Sequence, residues 1–343
     1  MRSWLYLVIL PTRLTLAAQT QHIVMWRKGV SSLKGQREII FSEDEQLNFK
    51  EFDPSIGADG YCSAIRNVLF PNSKPATLDI AALSVKYRIY VRGSIFSRVR
   101  PIDNPLVDKF LKEHVTRKEF FPATRSVKDA SIGRFNAQGV RKLYLADHPY
   151  VALKECGIEP GQHFLFSYFS FSADTYFMDA EPNETKFSKI LHDLFQSEDR
   201  RFYEVINRVY ESYLDYPEFQ GLAYSSARVQ KNYHDPVWGE IDSTTNLVMK
   251  EDHMPSAELL GGWLAICDEK YRPRYLRIFI PNNPKKKQKL VSTSYQGNKS
   301  KFISLTQELV RKTQDTKRKS VNRIKNKEYA DPEMSPVKVL IKD

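Results

Sequence analysis

The sequence predicts an α+β fold, and three stretches carry that expectation. Residues 162–171 (Gln-His-Phe-Leu-Phe-Ser-Tyr-Phe-Ser-Phe) form an aromatic run whose length fits a central strand buried on both faces. Phe187, Ile190, Leu191, Leu194 and Phe195 recur at i, i+3, i+4, i+7 and i+8, the stripe of an amphipathic helix over 186–196. Between 133 and 155 the chain reads as loop, strand, cap and helix in close succession.

Taken in order, residues 4–10 are a short apolar run after Arg2. Pro11 and Arg13 break it, which favours an upstream start, with Met25 opening the functional chain, over a signal peptide. No apolar run reaches the ~18 residues of a membrane span. Residues 25–83 form a small N-terminal region of mixed polarity. Ile65, Val68 and Leu69 lie there at helical spacing, and 71–75 reads as a linker. Residues 86–100 alternate and are rich in arginine, which predicts a strand broken at Gly93 and a second short strand after it. Residues 104–121 look helical, with Leu106, Phe110 and Leu111 apolar.

The 133–155 stretch follows. Gly133 and Gly139 punctuate a loop that carries Arg134 and Asn136. Leu143 and Leu145 alternate with Tyr144 on a short strand. Asp147 is a plausible N-cap, and Pro149 suits the first helical turn. Val151, Ala152 and Cys156 give the helix an apolar side. Beyond the 186–196 helix, Phe202, Val205, Ile206, Val209 and Tyr213 repeat its pattern and predict a helical pair. Strands are expected at 221–224, 246–249 and 275–280. The tail has room for one helix around Phe302, Leu305 and Leu309, and its charged remainder reads as mobile.

Charge is unevenly placed. Residues 281–343 hold 16 Lys and Arg against 6 Asp and Glu, a net of +10, whereas the rest of the chain holds 36 against 35. The expected division is therefore a nearly neutral body over 84–280 and a basic tail over 281–343. Nucleic acid is a partner only through that tail. The 41% hydrophobic and 12% aromatic content marks a globular protein, not a disordered one. Cys62, Cys156 and Cys267 are sparse, odd in number and without Cys-x-x-Cys spacing, which points to a reducing, cytoplasmic setting.

Several signatures are absent: Gly-x-Gly-x-x-Gly after a strand, Gly-x-x-x-x-Gly-Lys-Ser/Thr, and His-Glu-x-x-His. The seven histidines are scattered without metal spacing, so no metal is expected. A Rossmann dehydrogenase, a P-loop enzyme and a zinc hydrolase are disfavoured. The remaining polar candidates are Arg98 in Phe-Ser-Arg-Val-Arg-Pro, Arg134 in Gly-Arg-Phe-Asn, Tyr144, Glu155 and Ser226 in Tyr-Ser-Ser-Ala-Arg. Singly, each has an ordinary structural reading: a surface ion pair, a core tyrosine, a solvated glutamate.

Their order changes that weighting. Phe-Ser-Arg-Val-Arg-Pro, then Gly-Arg-Phe-Asn-x-x-Gly-x-x-x-Leu-Tyr-Leu-Ala-x-x-x-x-x-Ala-Leu-x-Glu, then Gly-Leu-Ala-Tyr-Ser-Ser-Ala-Arg, then Asn-Leu-Val-Met resembles the RES domain family over about residues 87–280. The resemblance implies an ADP-ribosyltransferase-like fold, with a mixed, split β-sheet core and flanking helices. It implies NAD as substrate and a toxin of a bacterial toxin–antitoxin pair. The partner it implies is an antitoxin with an Xre-type helix-turn-helix domain; the oligomeric state is left open, with a homodimer as one option, and the lack of a long apolar run predicts no membrane partner. Residue by residue it assigns Arg98, Arg134, Tyr144, Glu155 and Ser226 to the site, with Arg88, Arg92 and Arg100 as competitors for the first arginine. The chain departs from the family pattern in its N-terminal extension, its basic tail, and extra residues at 101–132 and 228–246.

These residue types suit NAD. Arginine binds pyrophosphate oxygens through paired planar donors that stay charged. A tyrosine face can stack on the cationic nicotinamide. A fixed carboxylate such as Glu155 stabilises the oxocarbenium-like charge that develops as the nicotinamide–ribose bond breaks. Ser226 would offer a hydroxyl to ribose or phosphate; no His or Asp partner marks it as a nucleophile. The acceptor is left open between water, phosphate and a macromolecule, the last being an ADP-ribosyltransferase. A non-catalytic module with a nucleic-acid-binding tail is the alternative from another class.

Overall fold

The computed structural model describes residues 16–18, 47–71, 79–112, 114–122, 132–182, 185–282, 289–329 and 337–342. The apolar run at 4–10, Met25, the linker at 72–75 and the lysines at 285–287 lie outside the described residues. The strands are β1 (Leu16–Ala18), β2 (Asp79–Ser84), β3 (Lys86–Tyr90), β4 (Ile95–Ile102), β5 (Lys142–Ala146), β6 (His163–Phe171), β7 (Thr175–Asp179) and β8 (Gly221–Ser225). They continue with β9 (Tyr233–Asp235), β10 (Gly239–Ile241), β11 (Thr245–Lys250), β12 (Ala257–Cys267), β13 (Pro273–Pro281), β14 (Leu290–Ser294) and β15 (Val337–Lys342). The helices are α1 (Gly57–Leu69), α2 (Asn104–Lys112), α3 (Pro149–Glu155), α4 (Lys186–Phe195), α5 (Tyr203–Val209) and α6 (Lys299–Lys325).

The architecture is mixed α+β. Eleven strands form one sheet in the order β1-β3-β7-β8-β11-β5-β4-β6-β12-β13-β14. β7 and β8 run parallel, joined by a crossover through α4 and α5, and the other pairings of this sheet are antiparallel. The two halves of the sheet barely meet. β5 pairs with β11 at five positions, but with β4 only at Ser97↔Ala146. α3 packs on both β4 and β5, where the two strands part.

Burial follows that division. One face carries a single apolar layer across both halves, with Phe96, Leu143, Leu145, Phe169, Phe177 and Leu247, covered by Phe110 of α2 and by Phe120. The opposite face carries two. α1, α4 and α5 cover Tyr87, Met178, Leu222, Tyr224 and Val248 of the first half. α3 and α6 cover Val99, Phe166, Trp263 and Ile278 of the second. The aromatic run forms β6 as expected. Phe164, Phe166 and Tyr168 face one layer while Leu165, Phe169 and Phe171 face the other, the two-residue period of a strand sandwiched between helices.

The helical pair forms from the stripes that predicted it, and Thr185 caps α4 by accepting from Ser188 N–H. The helix expected over 104–121 is shorter. α2 stops at Lys112, and only Arg117–Phe120 resumes, as a 3-10 turn.

The basic segment is built into the body where it is described. β14 extends the main sheet along β13, and β15 pairs with β2 over six positions. α6 buries Phe302, Leu309, Thr313 and Ser320 against the sheet. Among the described residues, no helix is long and apolar enough to cross a membrane.

Candidate active site

α3 brings Glu155 to the seam between the two covered layers. The helix starts at Pro149, whose missing N–H is not needed in a first turn. The cap is His148 and not Asp147: the His148 Nδ1 accepts the Tyr150 N–H at 3.1 Å. Asp147 instead accepts the hydroxyl of Ser243. The reason is register. The residue before Pro149 is extended, so its ring folds back over the turn. Burial pulls the His148 imidazole down to about 4, with Asp235 acting against it.

That shift has a sign. The folded state refuses a proton that the unfolded chain takes near pH 6.5. Stability is therefore complete above about pH 6.5 and falls as pH drops towards 4, by up to about 3 kcal/mol. His148→Asn keeps a capping acceptor without the titration. Its melting temperature is expected to fall less than that of wild type between pH 7 and pH 4.5.

Glu155 ends the helix, half-buried. Its Oε1 accepts the Ser226 hydroxyl at 2.5 Å. Ser226 is 6% exposed, and its Oγ also accepts the N–H groups of Arg228 and Val229, each at 3.1 Å. The serine thus folds the loop after β8 and aims its one donor at the carboxylate.

Arg134 sits in a tight turn in which Gly133 N–H reaches Asn136 O at 2.9 Å. A Cβ at Gly133 would overlap Asn136 Oδ1 and stand 3.1 Å from the Tyr144 hydroxyl, so glycine is required by contact. Tyr144 donates to Asn136 Oδ1 at 2.8 Å and accepts from Phe135 N–H at 3.0 Å, which locks the turn onto β5. Burial pushes the Tyr144 phenol well above its ordinary value. The Arg134 guanidinium, 6% exposed, donates to Phe195 O at 3.0 Å and Ser197 O at 3.2 Å. It also lies 6.0 Å from the Tyr203 ring centroid. Burial pulls this arginine down, but Tyr224, Glu155 and Tyr203 together raise it above the ordinary value. Burial also raises Tyr224, and Glu155 adds to that while Arg134 opposes it.

Arg134, Tyr144, Glu155 and Ser226 therefore share one neighbourhood. Arg98 reaches it from β4, one residue beyond the Ser97 joint. Burial pulls Arg98 down to about 10; Cys156, the residue after Glu155, opposes this and Arg100 adds to it. Burial pushes the Cys156 thiol up to about 11, against the pull of Arg98. Arg98 makes no ion pair with any described residue. Its competitors are placed otherwise. Arg88 is clasped by Asp179 at 2.8 and 2.9 Å and bonded to Thr245 at 3.1 Å. Arg100 donates to Glu119 O at 2.7 Å. Arg92 is exposed in the turn before Gly93.

The contrast yields a paired test. Arg88→Met strands the buried Asp179 charge and is expected to lose about 3 kcal/mol in denaturant melts. Arg98→Met removes a half-buried cation that has no ion pair among the described residues, so melting is expected to hold or rise.

Tyr203 and Tyr224 join the site without having been singled out in the sequence. Tyr203 lies one position off the apolar stripe of α5, and Tyr224 precedes Ser225-Ser226 on a buried strand; neither signal separates a site tyrosine from a core one. Among the described residues, no three His, Cys, Asp or Glu side chains are grouped to hold a metal ion. In comparisons with known proteins, the chain matches no protein-family model and no curated protein.

Proposed function

We propose that this protein consumes NAD, cleaving the nicotinamide–ribose bond as an enzyme of the RES type, with the ADP-ribosyltransferase-like cleft lying where β4 and β5 part. The observation that carries this reading is Glu155. It is a carboxylate fixed by a 2.5 Å hydrogen bond from Ser226 and surrounded by Arg134, Tyr224 and, through Cys156, Arg98.

Each group then has a task. The Glu155 carboxylate faces the nicotinamide ribose and offsets the positive charge that grows on the sugar as the bond lengthens. Nicotinamide leaves as a neutral ring, so no strong general acid is required. Arg98, with no ion pair of its own, takes pyrophosphate oxygens. Arg134 spends donors on two backbone carbonyls and keeps the rest of its five for the substrate. The Tyr144 hydroxyl is already engaged, which leaves its ring as the usable surface. Ser226 uses its proton on Glu155 and orients the carboxylate.

Purified protein incubated with NAD labelled in the adenosine half is expected to release free nicotinamide. Label in ADP-ribose identifies water as the acceptor, label in its phosphate ester identifies phosphate, and label on a macromolecule identifies transfer. Undiminished NAD with no nicotinamide would overturn the proposal. The role of a toxin predicts that expression stops growth and depletes cellular NAD, and that a co-expressed antitoxin with a helix-turn-helix domain restores both.

A further inference from the structure

Asn246 occupies the centre of the site face and has no assigned task. On β11 it lies between Tyr224 of β8 and Ala146 of β5 in the register. Directly opposed residues of antiparallel strands share a face. Asn246 therefore shares its face with Tyr224 and, one pleat along β5, with Tyr144. Its neighbours Leu247 and Met249 belong to the apolar layer that spans the whole sheet, where Asn246 takes no part. Asn246 is 3% exposed, and its Nδ2 is sealed from solvent without a hydrogen-bond partner.

A buried amide donor without an acceptor is a standing penalty on the empty fold. Such a group persists where a ligand oxygen completes it. The kind of oxygen follows from the surroundings. Glu155 acts on Tyr224, which stands directly opposite Asn246. Phosphate oxygens are repelled beside that carboxylate, whereas a neutral hydroxyl is not. Rotation about χ2, which is broad in asparagine, presents the N–H to such a group. We infer that Asn246 contacts the substrate, its Nδ2–H donating to a ribose oxygen in the nicotinamide half of NAD beside Glu155. This inference rests on the reading of the site as an NAD site.

Two variants test it. Asn246→Leu removes the polar group at similar volume, and Asn246→Asp keeps the shape without the donor, which carries the test if the leucine variant does not fold. Both are expected to lower kcat/KM for NAD by 10- to 100-fold. The inhibition constant of ADP, which lacks the nicotinamide ribose, is expected to change by less than twofold. The leucine variant is expected to melt no lower than wild type, since the donor it removes is unpaired. If wild type consumes NAD and both variants stay within twofold of it, the inference falls alone. If NAD and ADP weaken together with a lowered melting temperature, the residue is structural and the inference falls. If wild type consumes no NAD, the proposed function falls and this inference with it.

Discussion

Glu155→Gln is expected to lower NAD turnover by about 10²–10⁴-fold while the melting temperature stays within about 2 °C of wild type. The two halves of that expectation have separate causes. Glutamine is nearly isosteric, and its Oε1 still accepts the Ser226 hydroxyl, so the loop after β8 and the end of α3 keep their geometry. The carboxylate is half-buried and makes no direct ion pair with a described residue; the longer-range support it gives Arg134 is backed up by that arginine's bonds to Phe195 O and Ser197 O, so the fold loses little. Chemistry loses what the fold does not. On the proposed NAD reading, a neutral amide does not offset the charge developing on the ribose, and among half-buried groups that loss is larger than it would be in water. The measurement is nicotinamide release against protein concentration, with thermal melts of both proteins alongside. Turnover within threefold of wild type would remove Glu155 from the chemistry. If growth inhibition also survived, the NAD reading would go with it.

How much of this could be read from the chain depends on where each signal lives. Arg134, Tyr144 and Glu155 were legible because one loop–strand–helix unit places them, and local spacing records such units well. Ser226 was legible from its short motif, but its service to Glu155 was not, because that contact joins residues 71 positions apart. β12 escaped notice. Two adjacent glycines, Gly261 and Gly262, weaken the strand pattern in its middle; in the structure a bulge against β6 falls between Leu259 and Gly261, and Leu309 closes on Gly261. The role of α6 was hidden by composition. Its buried stripe begins with Phe302 and Leu309 but continues through Thr313 and Ser320. Those hydroxyls bond back to Leu309 O and Lys317 O at 2.8 Å each, so polar residues are buried without an outside partner. A periodicity search that counts only apolar residues loses the helix halfway along.

α6 is therefore expected to behave as core. Leu309→Ala should destabilise the protein by about 2–5 kcal/mol, the range for a leucine deleted from a filled interior. The argument turns on Gly261. Leu309 is fully buried, and a Cβ built at Gly261 would stand 2.8 Å from its Cδ2 and 3.0 Å from its Cδ1. The leucine thus rests directly on the backbone of β12, which a strand cannot move to refill the space without breaking its pairing on both sides with β6 and β13. A cavity that cannot collapse puts the loss towards the upper part of the range. In a chain of this length that corresponds to a melting temperature lowered by roughly 5–7 °C. Deleting 281–343 should do more than clip a tail. It removes β14 from β13, β15 from β2 and the cover over Trp263 and Ile278, so insoluble or unfolded protein is the expected product. The reading as a separate basic tail makes the opposite forecast: Leu309→Ala melts within 1 °C of wild type, and the truncated body folds. Since α6 and α3 cover the same half of the sheet, a loosened α6 should also weaken the floor beneath Glu155. Leu309→Ala should then lower turnover only near its own melting transition, whereas Glu155→Gln lowers it at every temperature. The temperature dependence of activity thus separates a residue that holds the site in place from one that acts within it.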